Sequence, residues 1–253
     1  EFRERQALGR SRLIEAGRRA GFSESVSLME ESRAAVAADD VDDGTLLCLD
    51  FGGGTFDVAV VEIASYKATV LALEGIAVGG EEFDSKIFDH FVAPVIRLDA
   101  EFLQLDGQTR SLPASVRRGL RSLAGVNRLV TDNIVPAVSG MFAGGGNDAV
   151  LDQVSAIVNG GVAWPLFNAI QSAKHELSRE SRSSIRVSTA LLNLDIPVDR
   201  SSFEELIAAD LRRVAICFED ALEDAGVLPE RVDFVALTGG SSQIPAFRHL
   251  VRE

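Results

Sequence analysis

Cysteine and histidine are scarce in this chain of 253 residues. Cys48 and Cys217 lie far apart inside apolar stretches, and His90, His175 and His249 are scattered without ligand spacing. That distribution argues against a disulfide framework and against a zinc site. Uninterrupted apolar runs of about 18 residues are absent, as is a charged-then-apolar leader with a small-residue cleavage site, so neither a membrane span nor secretion is expected. A cytoplasmic protein follows as the default. Positive charge is also in short supply: 25 Lys and Arg stand against 38 Asp and Glu, a formal net charge of −13. Such a surface repels polyphosphate backbones, so nucleic acid is not an expected partner. Any phosphate would have to be held locally, by backbone amides and a metal ion.

Sequence spelling removes three familiar phosphate or catalytic motifs. A P-loop needs a Gly-Lys pair, and the chain has none. A dinucleotide fingerprint from Gly52 would need glycine where Asp57 stands, with a helix following instead of a strand. Gly239-Gly240-Ser241-Ser242-Gln243 resembles a nucleophile elbow until Gln243 takes the place of the last glycine.

With 46% hydrophobic residues and 25% charged, the chain is able to bury the core of one or two domains. Phe2 to Ala20 reads as a loosely amphipathic helix closing at Gly21. A short apolar piece, 26–29, and an alanine-rich helix, 32–38, precede an acidic turn. Leu46-Leu47-Cys48-Leu49 reads as a strand covered on both faces, making Cys48 a core residue. Val58 to Ile63 and Tyr66 to Leu73 supply two further strands. Phe83, Ile87, Phe91 and Val95, spaced by four, predict one helical face over 82–95. Helices are expected to continue: Leu112, Val116, Leu120 and Leu123 mark one, and 129–141 another, interrupted by Pro136 and ended by Gly144-Gly145-Gly146.

Leu166, Ile170, Ala173 and Leu177 set the apolar face of a helix over 164–179, with Gln171, Lys174 and Ser178 on a polar face and Trp164 expected in the core. Strands at 185–187 and 191–198 lead to a capping box, Ser202 with Glu205, opening a long helix that Gly226 ends. A buried-type strand, 232–237, then enters the turn Thr238-Gly239-Gly240-Ser241-Ser242. The fold class is α/β. The chain opens at Glu1 and stops at Glu253 within helical pattern, and so reads as a fragment.

What remains for chemistry is Asp50-Phe51-Gly52-Gly53-Gly54-Thr55-Phe56-Asp57, a hairpin between two strands. Three successive glycines let backbone N–H groups approach an anion, at an entropy cost that a plain turn does not require. Asp50 and Asp57 flank the turn, where a hydrated magnesium ion, which keeps several waters and uses few carboxylates, would find its partners.

Four motifs in this order resemble one family. They are the hairpin, then Gly79-Gly80-Glu81-Glu82-Phe83-Asp84, then Ala173-Lys174 with Leu177-Ser178, then Leu237-Thr238-Gly239-Gly240-Ser241-Ser242 with Ile244-Pro245. Together they are similar to the DnaK-type heat-shock chaperones of the actin-like ATPase superfamily. The stretch from about Asp99 to Val162 has no counterpart, which suggests a divergent, YegD-like branch. The resemblance implies an actin-like ATPase (ribonuclease H-like) fold, mainly its second lobe with a helical and strand tip subdomain. By the same resemblance, residues 1–43 would be a remnant of the first lobe. Residues 44–78 and 196–253 would form the core of the second, and 79–195 its tip subdomain.

Roles carry over by position. Gly52, Gly53, Gly54 and Thr55 would contact the outer phosphates of ATP or ADP, and Asp50 would sit near water-bound Mg2+. Thr55 and Asp57 would help arrange the catalytic site, and Glu30 would lie near the metal and attacking water. Gly80 and Glu81 would border ribose and phosphates, Lys174 and Ser178 the nucleoside, and Gly239, Gly240 and Ser241 would lie beneath it. His175 and Gln243 stand where the family brackets adenine with two arginines, and Gln171 where a glutamate reaches the ribose. Arginine stacking is lost there. The family's first phosphate loop and catalytic lysine lie upstream of the matching region. The expected function is therefore the ATP-binding lobe of a DnaK-like chaperone, inactive alone and acting on client polypeptides or co-chaperones within a longer protein. Alternatives are a nucleotide-sensing pseudo-ATPase and a small-molecule kinase of the same superfamily.

Overall fold

The computed structural model describes residues 2–22, 43–65, 67–103, 108–134 and 148–252. The short apolar piece at 26–29, the expected helix at 32–38, Glu30, Tyr66, Pro136 and Gly144 to Gly146 lie outside them. Two compact units are present: residues 1–48, 58–74 and 221–236 make the first, and residues 49–57, 75–220 and 237–253 the second. Four strands, β1 (Gly44–Phe51), β2 (Phe56–Ala64), β3 (Lys67–Ile76) and β8 (Phe234–Thr238), form one sheet in the order β3-β2-β1-β8.

In the first unit, α1 (Phe2–Arg19) ends where Gly21 turns to φ +89°, the left-handed close that glycine permits. Leu46, Cys48, Ala59, Val61 and Ile63 form the core on the sheet, with Ala68, Val70 and Ala236 packed against them. Burial pushes the Cys48 thiol up, as suits a small core residue. Asp233 fixes the approach to β8: its carboxylate accepts from the Thr45 N–H at 2.8 Å and its own N–H donates to the Thr45 carbonyl at 2.9 Å. One expectation fails here. Residues 232–237 read as a buried strand, yet Phe234 and Val235 are exposed, because β8 is an edge strand of the sheet.

The second unit is organised around phenylalanine. Phe51 packs edge-on against Phe56, Phe83 and Phe247 with ring centroids 5.2, 5.7 and 5.0 Å apart, so the residues beside the glycine hairpin are anchored in an aromatic core. Each such pair adds about 0.5–1.5 kcal/mol beyond its area burial. Helix α2 (Gly80–Ile87) continues into a π-helical turn, Phe88–Val92, and a last turn, Ala93–Val95. The extra residue of that turn shifts the buried stripe by one position. Phe83 and Ile87 are followed by Phe88, Val92 and Ile96, while Val95, expected inside, is 52% exposed.

The run of helices expected next is broken by a short antiparallel hairpin, β4 (Glu101–Leu103) and β5 (Thr109–Ser111). Leu112, Val116 and Leu120 are buried as their spacing predicts. However, the helix stops, and Leu123 opens another: α3 is Ala114–Gly119 and α4 is Leu123–Thr131, because the Ser122 hydroxyl caps α4 by accepting from the Gly125 N–H at 3.1 Å.

Helices α5 (Asp148–Val158) and α6 (Ala163–Leu177) follow, then the hairpin of β6 (Arg182–Ser188) and β7 (Asn193–Asp199). Helix α6 packs on β6 and against α2, α4 and α5. Its apolar face is buried as expected, but Trp164, expected in the core, is 65% exposed. The long helix α7 (Arg200–Ala225) is capped differently from the expected Ser202 box. The Asp199 carboxylate instead takes the Ser202 N–H at 2.9 Å together with the Ser201 and Ser202 hydroxyls. Gly226, at φ +65°, ends α7. The chain closes through a 3₁₀ turn, Gly240–Gln243, and α8 (Pro245–Leu250).

Candidate functional site

The glycine hairpin lies within the second unit, where it meets the start of α2. Gly52 N–H donates to Thr55 C=O at 3.0 Å and closes the turn. The first N–H groups of α2, which no helix can satisfy internally, donate back to it: Gly80 to the Gly52 carbonyl at 3.1 Å and Glu81 to the Gly53 carbonyl at 2.7 Å. This docking explains Gly79. A Cβ built there would lie 2.4 Å from the Gly53 oxygen.

The hairpin glycines are different. None of Gly52, Gly53 and Gly54 has a left-handed φ, and a Cβ on Gly54 would meet nothing within 4 Å. On Gly53 the nearest atom would be a Glu81 carboxylate oxygen at 3.9 Å, and on Gly52 the Thr55 carbonyl at 3.6 Å. Neither backbone conformation nor protein packing therefore requires glycine here. The N–H groups of Gly53 and Gly54 meet no acceptor among the described residues. Two adjacent unpartnered donors on a turn stripped of side chains form a backbone concavity suited to an anion.

Lys174 reaches this turn from α6. It is 7% exposed, donates to the Gly80 carbonyl at 2.8 Å, and lies 2.7 Å from Asp84 Oδ1. The latter contact is ionic, since Asp84 Oδ1 accepts no aligned hydrogen bond among the described residues. Burial raises the Asp84 carboxyl above the usual carboxylate range, against the pull of the Lys174 ammonium. From the C-terminal turn, the Ser241 hydroxyl donates to the Gly52 carbonyl at 2.9 Å. Gly239 sits at φ +79°, and a Cβ there would come within 2.3 Å of the Phe51 oxygen and 2.8 Å of Asp50 Oδ1. Beyond the hairpin, the Thr55 hydroxyl donates to Asp57 Oδ2 at 2.7 Å.

These contacts leave a cleft of about 230 Å³ lined by Gly52, Gly53, Gly80, Glu81, Gln171, Lys174, His175, Ser178, Gly240 and Ser241, all of them site residues expected from sequence. Gly54, Asp50, Thr55, Asp57 and Gly239 do not line it; Asp50 and Gly239 stand against each other, and Thr55 pairs with Asp57. Gln243 lines a neighbouring cleft of about 860 Å³, which shares His175, Ser178 and Gly240 with the first. Among the described residues no cluster of three His, Cys, Asp or Glu side chains is placed to hold a metal. Glu30 lies outside those residues.

Three contributors escaped the sequence reading. Asp84, quoted within its motif but given no role, lines the cleft as the counter-ion of Lys174. Ser242, fully buried, ties the turn by donating to the Gly239 carbonyl at 2.6 Å. Arg248 of α8 donates to the Ser242 carbonyl and to Gln243 Oε1, both at 3.2 Å, which places a guanidinium beside the position that lacks arginine. Their signal was only positional: Asp84 lies one turn along α2 from the docked Gly80, and Arg248 lies in the first turn of α8, five residues after Gln243.

Comparison with known proteins accords with this geometry. The chain matches the family model described as Hsp70 protein over residues 3–102 and 161–253. The interval between falls within the stretch that motif reading could not match. It is 30% identical, over 94% of its length, to the chaperone protein DnaK of Trichormus variabilis and to the chaperone protein dnaK1 of a Nostoc species. With the chaperone protein dnaK of Cyanophora paradoxa the identity is 28% over the same share. The chain covers only 28% to 32% of these relatives, about a third of their length or less. With the glycine hairpin, the docked α2 and the Gly239 turn all inside the matched segments, the chain belongs to the Hsp70 family and has its actin-like ATPase fold.

Proposed function

We propose that this chain is the ATP-binding lobe of a DnaK-like chaperone, binding ATP or ADP at the glycine hairpin. One observation carries the reading: the N–H groups of Gly53 and Gly54 have no acceptor among the described residues, and no close packing there excludes a side chain, so the turn is shaped for something other than the protein. Phosphate oxygens are the matching acceptors. Lys174, hydrogen-bonded to Gly80 and ion-paired with Asp84, ties α6 to α2 and brings an ammonium group to the cleft. Ser241 holds the Gly52 carbonyl, so the turn's donors are preorganised.

Magnesium, which takes few protein carboxylates when it arrives with phosphates, would be held through water by Asp50 and would neutralise charge on the outer phosphates. Asp57 is oriented by the Thr55 hydroxyl and would serve the catalytic side of the turn with Glu30. Phosphoryl transfer needs electrostatic clamping from both sides of the nucleotide, so the lobe alone would bind without turnover. In the longer protein, hydrolysis would bias the lobe angle and hence the hold on client polypeptides or co-chaperones, in the cytoplasm. Residues 1–43, 44–78 with 196–253, and 79–195 would be the first-lobe remnant, second-lobe core and tip subdomain.

A second reading, a nucleotide-sensing module without useful turnover, draws on His175 and Gln243 at the arginine positions. Calorimetric titration with magnesium-ADP, magnesium-ATP and magnesium-GTP tests the first claim. Adenine-selective binding is expected, and Gly53→Val should abolish it by placing a branched side chain over the two donors. Equal binding by Gly53→Val would remove the hairpin from the site. Hydrolysis by the longer protein separates the two readings, since a sensor shows none.

A further inference from the structure

Beside the phosphate cleft lies a second pocket, of about 460 Å³, which shares Glu81, Asp84 and Gln171 with it but whose other lining residues have no part in the nucleotide reading. One wall is α6, with Trp164, Phe167, Asn168 and Gln171; the facing wall carries Arg121 and Asn127. That facing wall comes from the interval between the two family-matched stretches, whereas α6 lies within the second of them, so the unmatched interval completes the pocket.

Its lining is informative. Trp164, the chain's only tryptophan, is 65% exposed there, although a side chain of that size is ordinarily well covered. Phe167 beside it is stacked on Phe88 at 6.0 Å, which fixes the aromatic wall. Three carboxamides, Asn127, Asn168 and Gln171, each offer both a donor and an acceptor. Arg121 lines the pocket with a partly exposed side chain, and its guanidinium has donors beyond the one that pairs with Asp89. The formal charges are largely matched already: Arg121 pairs with Asp89 at 2.6 Å, and Asp84, which also borders the pocket, pairs with Lys174 at 2.7 Å. Only Glu81 is left over.

An aromatic plane, several two-way hydrogen-bonding groups and little net charge match an uncharged ring with one apolar C–H face and several hydroxyls. We propose that this pocket binds a small neutral polyhydroxylated molecule of the sugar or cyclitol class, the ring stacked on Trp164 and its hydroxyls held by Asn127, Asn168, Gln171 and Arg121. Glu81, Asp84 and Gln171 also line the phosphate cleft, so occupancy of one site changes affinity at the other, and by the same factor in both directions.

Trp164 emission reports on the pocket directly. The chain is titrated with glucose, galactose, mannose, N-acetylglucosamine and myo-inositol, with calorimetry on the same panel. At least one member should give a saturable emission shift and heat. Asn168→Ala should weaken that binding about tenfold, as loss of one hydrogen bond to the ligand does, and Asn127→Ala/Asn168→Ala should abolish it. Both asparagines are exposed, so circular dichroism of the variants should match the parent. The proposal is overturned if no member binds by either method, if the double variant binds as well as the parent, or if only magnesium-ADP moves Trp164. Magnesium-ADP calorimetry run alongside keeps a failure here separate from a failure of the nucleotide reading.

Discussion

Lys174 shows how one residue type can be legible and its environment not. Its place on α6 marked it as a polar-face residue near a nucleoside, but the structure buries it between the Gly80 carbonyl and Asp84. A buried ion pair stripped of one partner is costly, whereas an apolar replacement of both is tolerated. Lys174→Met should therefore destabilise the chain by about 3–5 kcal/mol, and Lys174→Met/Asp84→Leu should recover most of that loss. Urea denaturation of the parent, these two variants and Asp84→Leu is the check, and additive losses would show that the two residues do not act as a pair. Gly239 is the second case. With φ +79° and the Phe51 oxygen 2.3 Å from a would-be Cβ, Gly239→Ala should cost more than about 1 kcal/mol, visible as a lower thermal midpoint. Gly54→Ala, with open space around it and no left-handed φ, should leave the midpoint nearly unchanged while altering anion binding.

At the scale of elements, apolar spacing located the helices and strands, and end groups decided their limits. The four-residue spacing of Phe83, Ile87, Phe91 and Val95 gave the right element but the wrong face beyond Ile87, because a π turn is one residue longer and Phe88, Val92 and Ile96 offer an equally apolar stripe one position on. Helix α7 was expected to start on Ser202, and Asp199 caps it instead. Hydrogen bonds from Ser201 and Ser202 lower the Asp199 carboxyl from its ordinary 3.8 to about 2. A depressed carboxyl stabilises the fold above its unfolded value and loses that contribution as pH falls through the folded one. The difference in thermal midpoint between the parent and Asp199→Ala should therefore be constant above about pH 5 and shrink as pH falls towards about 2. Parallel midpoint curves across that range would place the cap elsewhere.

For the whole molecule, the net charge of −13 is a property of sequence that no tertiary contact alters. Self-repulsion opposes compaction, and salt screens charges lying more than about 10 Å apart at 0.1 M. Added sodium chloride at neutral pH should thus raise the urea midpoint, and the gain should fade near the isoelectric point of about 4.7. A midpoint indifferent to salt at pH 7 would mean that local pairs such as Lys86 with Asp210 dominate. The sequence by itself determined the α/β class, the strand hairpin with its three glycines, the apolar faces of α6 and α7, and which residues were candidates for an anion. These follow from local rules, periodicity and glycine spelling, which act over a few residues. Only the tertiary structure decided that Gly52, Gly80, Lys174 and Ser241 converge, that Asp84 neutralises Lys174, that Arg248 stands beside Gln243, and that Trp164 faces a pocket. The convergence depends on residues 94 and 189 positions apart, Lys174 meeting Gly80 and Ser241 meeting Gly52, brought together by packing and hydrogen bonds. Contacts between such distant residues are set by how helices and sheet close on a shared core, which a linear pattern does not encode.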